Sequence, residues 1–278
     1  MKRKWIRWVS WILLTPVLLF AILMVLLYIP PEQNLLRREV TAYASKATGM
    51  DIQIQRIDLR FPLNLLVRGV EVIQQPDTLL SLESLNVHVQ AIPLFKGKVE
   101  VDDITLKNVV VNSANLIEGM KIQGVLGQFL LESHGVDLPN QVAVVNRAEL
   151  SDTHVQLLMN DTTTTPKDTT ATSPINWKID LHQLKLNNIS FSMELPTDSM
   201  KMAAHIGEAT INEGRADLKN QSYGLKQFLL SGASASYDTG NAEPAKGFDA
   251  SHIAVRDIQI GLDSLLYQGR DMNAIIRE

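Results

Sequence analysis

Three carboxylates, Glu100, Asp102 and Asp103, stand close together in the sequence. Paired carboxylates are what general acid–base work requires. Adjacent positions of a strand point to opposite faces, however, so Asp102 and Asp103 are set apart, and the stretch reads as a solvated turn. Six histidines, His88, His134, His154, His182, His205 and His252, offer imidazole for proton transfer or metal binding. None stands in HExxH or a comparable ligand spacing. The chain has no cysteine, which removes thiol nucleophiles, Cys-bound metal and a disulfide framework. Neither a GxSxG elbow nor a GxxxxGK phosphate loop occurs. No catalytic group, metal or cofactor is expected, and the work is expected to be non-enzymatic.

What must be positioned is therefore a pattern of apolar residues. In "ITLKNVVV", apolar residues fall on Ile104 and Leu106, skip a place at Asn108, and resume on Val109 and Val111. A strand keeps a beat of two, so one residue is extra. The same stumble occurs at Gly69, between Leu65/Val67 and Val70/Val72. It recurs at Asp152, between Ala148/Leu150 and Thr153/Val155/Leu157. At Asn188 it separates Leu184/Leu186 from Ile189/Phe191/Met193, and at Asp257 it separates Ile253/Val255 from Ile258/Ile260/Leu262. A looser copy has Glu213 as its pivot. The chain thus carries an irregular internal repeat. Gly, Asn and Asp tolerate positive φ. One extra residue in that conformation makes a β-bulge that keeps the apolar residues on both sides facing one way. A hairpin turn or strand end at each pivot is the other reading. Both give a long, mainly β, antiparallel meander.

Composition narrows the class. Of 278 residues, 45% are hydrophobic and 20% charged, with a net charge of −4. Away from the N-terminus no basic run is interleaved with aromatics, so no nucleic-acid partner is expected. The N-terminal stretch "MKRKWIRWVSWILLTPVLLFAILMVLLYIPP" is uncharged from Trp8 to Ile29. As a helix that run would reach roughly 33 Å, against about 30 Å for a bilayer core. It is longer than the apolar core of a signal peptide and lacks a small-residue cleavage site. Residues 1–31 are therefore expected to be a cytoplasmic N-terminus and an uncleaved transmembrane anchor. Trp5, Trp8, Trp11 and Tyr28 lie near its two ends, as an aromatic belt would. Lys2, Arg3, Lys4 and Arg7 precede it, against Arg37 and Arg38 after it, which directs the bulk of the chain away from the cytoplasm.

Residues 32–49 read as a short amphipathic helix with Leu36, Val40, Tyr43, Ala44 and Ala47 at helical spacing and Gly49 as C-cap. It serves either as a stalk or as a plug on the end of the sheet. From residue 50 to 278 the period is two almost throughout. Turn signals at Gln75-Pro76-Asp77, Pro93, Lys96-Gly97-Lys98, Asn112–Asn115 and Asn160–Pro174 divide the region into short strands. "GVLGQFLLESHGVDL" suits strands better than a helix. The Thr-rich piece "NDTTTTPKDTTATSP" reads as an exposed loop within one domain. The array is expected to be the start of a longer one, because no closing unit follows.

A sheet with one apolar face must cover it. A sandwich or barrel would do so with a closed, dry core, as in a structural or adhesion scaffold. An open trough would instead meet acyl chains. The candidate lining residues are those flanking the pivots: Leu65, Val67, Val70, Val72, Ile104, Leu106, Val109, Val111, Leu184, Leu186, Ile189, Phe191, Ile253, Val255, Ile258 and Ile260.

The order of these features is similar to a known family. An uncleaved helix comes first, then a short helix ending "ATGMDIQIQRIDLRFP", then repeated IxLxN(V/I)xV units, of which "VEVDDITLKNVVVNS" is the fullest. The order resembles the AsmA-like superfamily, and within it the N-terminal part of the TamB-like inner-membrane subunits of bacterial translocation and assembly modules. The resemblance covers nearly all of the chain and rests on the order of weak motifs. Members of that family usually run far longer and end in a C-terminal domain not found here. The resemblance implies a taco-like β-groove projecting from the inner membrane into the periplasm. It also implies conduction of phospholipid towards the outer membrane or support of outer-membrane protein assembly, with an Omp85-family barrel as partner. It carries no catalytic residues.

Overall fold

A computed structural model describes residues 30–60, 63–90, 93, 100–113, 119–137, 140–159, 176–240, 243, 245–269 and 271–276. The expected anchor, Trp8–Ile29, lies outside them. Among the described residues no helix is long and apolar enough to cross a membrane.

The chain is mainly β. Among the described residues helix α1 (Pro30–Thr48) precedes twelve strands: β1 (Asp51–Arg60), β2 (Asn64–Gln74), β3 (Asp77–Val89), β4 (Val101–Asn112), β5 (Met120–Asp137), β6 (Val142–Met159), β7 (Lys178–Leu195), β8 (Met200–Asp217), β9 (Ser222–Leu225), β10 (Gln227–Thr239), β11 (His252–Gln268) and β12 (Asp271–Ile276). All belong to one sheet. Its order follows the sequence, with β9 and β10 lying end to end between β8 and β11. Contacts between elements run from each strand to its sheet neighbours and from α1 to β1. No second layer of sheet packs on either face among the described residues.

Three expectations need correction. The strands are not short: β5, β6, β7 and β8 each run for 18 residues. A pivot continues a strand where a turn would have ended it. Nor is the meander wholly antiparallel, because β6 and β7 pair parallel, with Val142 beside Lys178 and Leu158 beside Glu194. The Thr-rich piece lies in the connection that carries the chain back to the starting end of β6. The backbone at that end is pinned, since Gln141 accepts from Asn176 N through its side chain and from Lys178 N through its carbonyl, both at 2.8 Å.

The third correction concerns α1. It packs against β1 through Arg37, Thr41, Ala44 and Ser45, while Val40, Tyr43 and Ala47 of the expected apolar stripe are exposed. The cause is the edge of the sheet. Among the described residues β1 has a strand neighbour only on the β2 side, so its other side presents N–H and C=O groups that no strand satisfies. The Ser45 hydroxyl accepts from Ile52 N at 3.0 Å, and an Arg37 guanidinium N–H donates to Ile54 O at 3.1 Å. Polar side chains meet that need and apolar ones do not. The C-cap is as expected: Gly49 has φ 71° and its N–H donates to Ser45 O at 2.9 Å.

Candidate functional site: an apolar face in register

The pivots have the backbone conformation their residue types allow. Gly69, Asn108, Asp152, Asn188, Glu213 and Asp257 all have positive φ, between 49° and 59°. Strands run through each of them. Most are not bulges, however. A bulge sets two residues against one. Here Val67 pairs Leu85 and Val70 pairs Leu82, with two residues between on both strands. The extra residue is thus shared by neighbours and forms a pivot line: Gln55, Gly69, Glu83, Asn108, Gly127, Asp152, Asn188, Gly207 and Gly232, one per strand from β1 to β8 and then β10. Only between β10 and β11 is the bulge reading right. There Gly232 and Asp257 are offset and the register shifts twice. Side chains tie the line together, with Asn188 Nδ2 donating to Asp152 Oδ1 at 2.7 Å and Asn108 donating to the Glu83 carboxylate.

Because cross-strand partners share a face, register assigns the candidate residues. The first row runs Leu59, Leu65, Val87, Ile104, Leu131, Ala148, Leu184, Ile211, Phe228, Leu262. The second runs Ile57, Val67, Leu85, Leu106, Phe129, Leu150, Leu186, Ala209, Leu230, Ile260. Beyond the pivot line the third row carries Ile54, Val70, Leu82, Val109, Leu126, Thr153, Ile189 and Ile206, with Ala233 and Ile258 continuing it. The fourth carries Ile52, Val72, Leu80, Val111, Gly124, Val155, Phe191, Ala204, Ala235 and Val255. A fifth, from β5 to β11, carries Ile122, Leu157, Met193, Met202, Tyr237 and Ile253. Every candidate lining residue falls in one of these rows. Rows on the two sides of the pivot line face one way: Ile54, Ile57 and Val67 form a buried cluster, and Ile52, Leu65, Val70 and Leu85 pack against it.

In these rows Thr153 alone carries a side-chain hydroxyl on an aliphatic frame. Its Oγ1 donates to Ser151 O at 3.3 Å, so it aims no unpaired polar group outward. The face is incompletely covered: most row residues are half-buried, and Phe191, Ile260 and Val255 remain 39%, 40% and 48% exposed. At about 4.8 Å per strand the rows extend roughly 43 Å from β1 to β11. Residues of β1, β3, β5, β6, β8 and β10 were not among the candidates. The same skip was present in "GVLGQFLL" and "SLESLNV", but Gly124, Ala204, Ala209 and Ala235 give little hydrophobic signal.

The opposite face carries most of the polar side chains, with Val110, Val125 and Leu229 exposed among them. Three carboxyls sit below their ordinary values. Glu213 is lowered first by its hydrogen bond with His182, at 3.2 Å. Asp249 is lowered first by its hydrogen bond with His252, at 2.8 Å, and Asp217 by the backbone N–H of Asn220, at 3.0 Å. A depressed carboxyl contributes stability that is present above its unfolded value and lost as pH falls through the folded one. The melting temperature should therefore stay level from neutral pH to about 5 and decline below the ordinary 4.5 of Glu and 3.8 of Asp. Thermal melts across pH 3–7 measure this, and a decline already under way at pH 6 would mean that other groups dominate. Among the described residues no group of three or more His, Asp or Glu is arranged to hold a metal ion. No protein-family model and no curated protein matches the chain.

Proposed function

We propose that the apolar rows form a trough for the acyl chains of phospholipid. The protein would be anchored in the bacterial inner membrane by Trp8–Ile29, with its N-terminus cytoplasmic and its sheet in the periplasm. Its work is non-enzymatic. The trough conducts phospholipid towards the outer membrane, or supports assembly and secretion of outer-membrane proteins with an Omp85-family barrel as partner. The observation that carries this reading is the face itself: apolar rows in register from β1 to β11, with no second layer on them among the described residues. Contiguous exposed apolar surface beyond a few hundred Å² marks an interaction site. An acyl chain asks for apolar contact without directional hydrogen bonds. The rows offer that almost throughout: their two hydroxyls are Thr153, satisfied within its own strand, and Tyr237 at the end of the face.

Native mass spectrometry with lipid extraction, on the full chain taken from membranes, tests the proposal. Phospholipid should accompany the wild-type protein. Replacing Val109, Val111, Ile189 and Phe191 together by Asp should cut it by about tenfold or more, since each lost apolar contact weakens binding by about 1–2 kcal/mol. The circular-dichroism spectrum should stay β-rich. A stable wild-type chain that carries no lipid would point instead to a membrane-anchored structural or adhesion scaffold.

A further inference from the structure

We infer that the cavity between α1 and β1 is a site for a phosphoethanolamine group; the inference rests on the lipid reading only for where that group comes from. The cavity measures about 530 Å³, and small-molecule sites occupy about 300–1,000 Å³. Arg37 and Arg38 line it from α1, Asp51, Gln53 and Gln55 from β1, and Gly69 and Glu71 from β2. Ile52 and Ile54 also belong to its wall and offer apolar contact to carbon atoms.

The charges decide the class of ligand. One wall carries two guanidinium groups and the other two carboxylates. Among the described residues none of these four groups makes an ion pair. Arg37 donates one N–H to Ile54 O at 3.1 Å, and its Nε is buried with no partner among the described residues. Asp51 Oδ2 accepts from Gln53 Nε2 at 3.2 Å. A Cβ at Gly69 would collide with the Gln55 side chain, so glycine leaves that amide its place in the wall. A simple anion would suit the arginines and be repelled by the carboxylates. A simple cation would meet the reverse. A zwitterion suits both. The planar fork of arginine matches phosphate oxygens, and a primary ammonium gives N–H donors to carboxylates. A trimethylated ammonium has none to give. On the anchor reading α1 begins where the uncharged run Trp8–Ile29 ends. Arg37 then lies roughly 11 Å along the helix axis from Pro30, which makes phospholipid headgroups the nearest source. Soluble glycerophosphoethanolamine carries the same group.

The test incubates the detergent-purified full chain with equimolar phosphatidylethanolamine and phosphatidylglycerol and counts bound lipid by native mass spectrometry. The second lipid has the phosphate without the ammonium. Wild type should hold the first in about fivefold excess. Asp51→Asn with Glu71→Gln should bring the two lipids to parity and leave total lipid unchanged. In a second arm glycerophosphoethanolamine is titrated into the protein calorimetrically. Enrichment without binding of the soluble compound assigns the site to a headgroup held in the membrane, and binding without enrichment assigns it to a soluble phosphodiester. Neither signal, or a signal that survives loss of both carboxylates, would overturn the inference. Arg38→Gln reads the phosphate end, and serves where the carboxylate variant fails to fold. It should cut either signal by about threefold or more, and an unchanged signal would also overturn the inference. Lipid bound without preference and no soluble binding would remove this site and leave the trough. Soluble binding by a chain that carries no lipid would keep this site and remove the trough.

Discussion

Removing eight residues from the connection between β6 and β7 is expected to split the sheet in two. The parallel register sets Lys178 beside Val142, at the far end of β6 from Met159. A straight strand of that length covers about 56 Å at about 3.3 Å per residue. Residues 160–177 reach about 60–65 Å at full extension, and ten residues reach only about 35 Å. The shortened chain cannot place Lys178 beside Val142. The loss is large because β6 and β7 alone join the first six strands to the rest of the path. Amide exchange in both strands should accelerate by at least about a hundredfold, which is about 3 kcal/mol of protection. Replacing the same eight residues by Gly and Ser, with length kept, should leave exchange as it is. Unchanged protection in the deletion variant would mean that the parallel pair is wrong.

Gly127→Val is the most damaging single substitution expected. A Cβ at Gly127 would stand 2.8 Å from the Cβ of Asp152, 3.0 Å from Asp152 O and 3.2 Å from Ser151 O. None of these atoms is the free end of a flexible side chain. The neighbouring strand must shift, and with it the register that continues to β7. Overpacking of this kind costs about 1–3 kcal/mol, or about 3–10 °C in the melting temperature at this size. Gly224→Ala is the control. Its nearest atoms are at 3.6 and 3.7 Å, so the change should fall within about 0.5 kcal/mol. Adding Asp152→Gly should restore part of the loss at 127, because it removes the closest atom and suits a residue at φ 51°. Thermal unfolding of the four proteins decides it, and equal melting of Gly127→Val and wild type would contradict the pivot-line packing.

The pivots were legible because they are local. An extra residue between apolar pairs, of a type that accepts positive φ, is written within one strand, and each such residue has that φ. Which partner faces it is not local, and so the shared pivot line was read as separate bulges. Gly127 and Gly207 have no positive φ. They act through closeness to the next strand, which no single stretch records. The parallel pair was equally hidden, because a long polar connection allows either direction of return. The packing side of α1 was missed for a different reason. Apolar spacing forecasts burial against a face, whereas β1 presents an edge whose demand is for hydrogen-bonding groups.

The single-file order of the strands has a mechanical consequence. Each inner strand is held by its neighbours in the sheet and, among the described residues, by no second layer. Tension applied from α1 to β12 across the strands would load the joints in series. Every ladder would carry the whole force, the weakest would fail first, and its hydrogen bonds would open one after another, as in a zipper. Tension applied along β6 and β7 would load the bonds of one ladder together in shear, and rupture would need far more force. The sheet is thus compliant along the rows and stiff across them, like cloth with a strong warp and a weak weft.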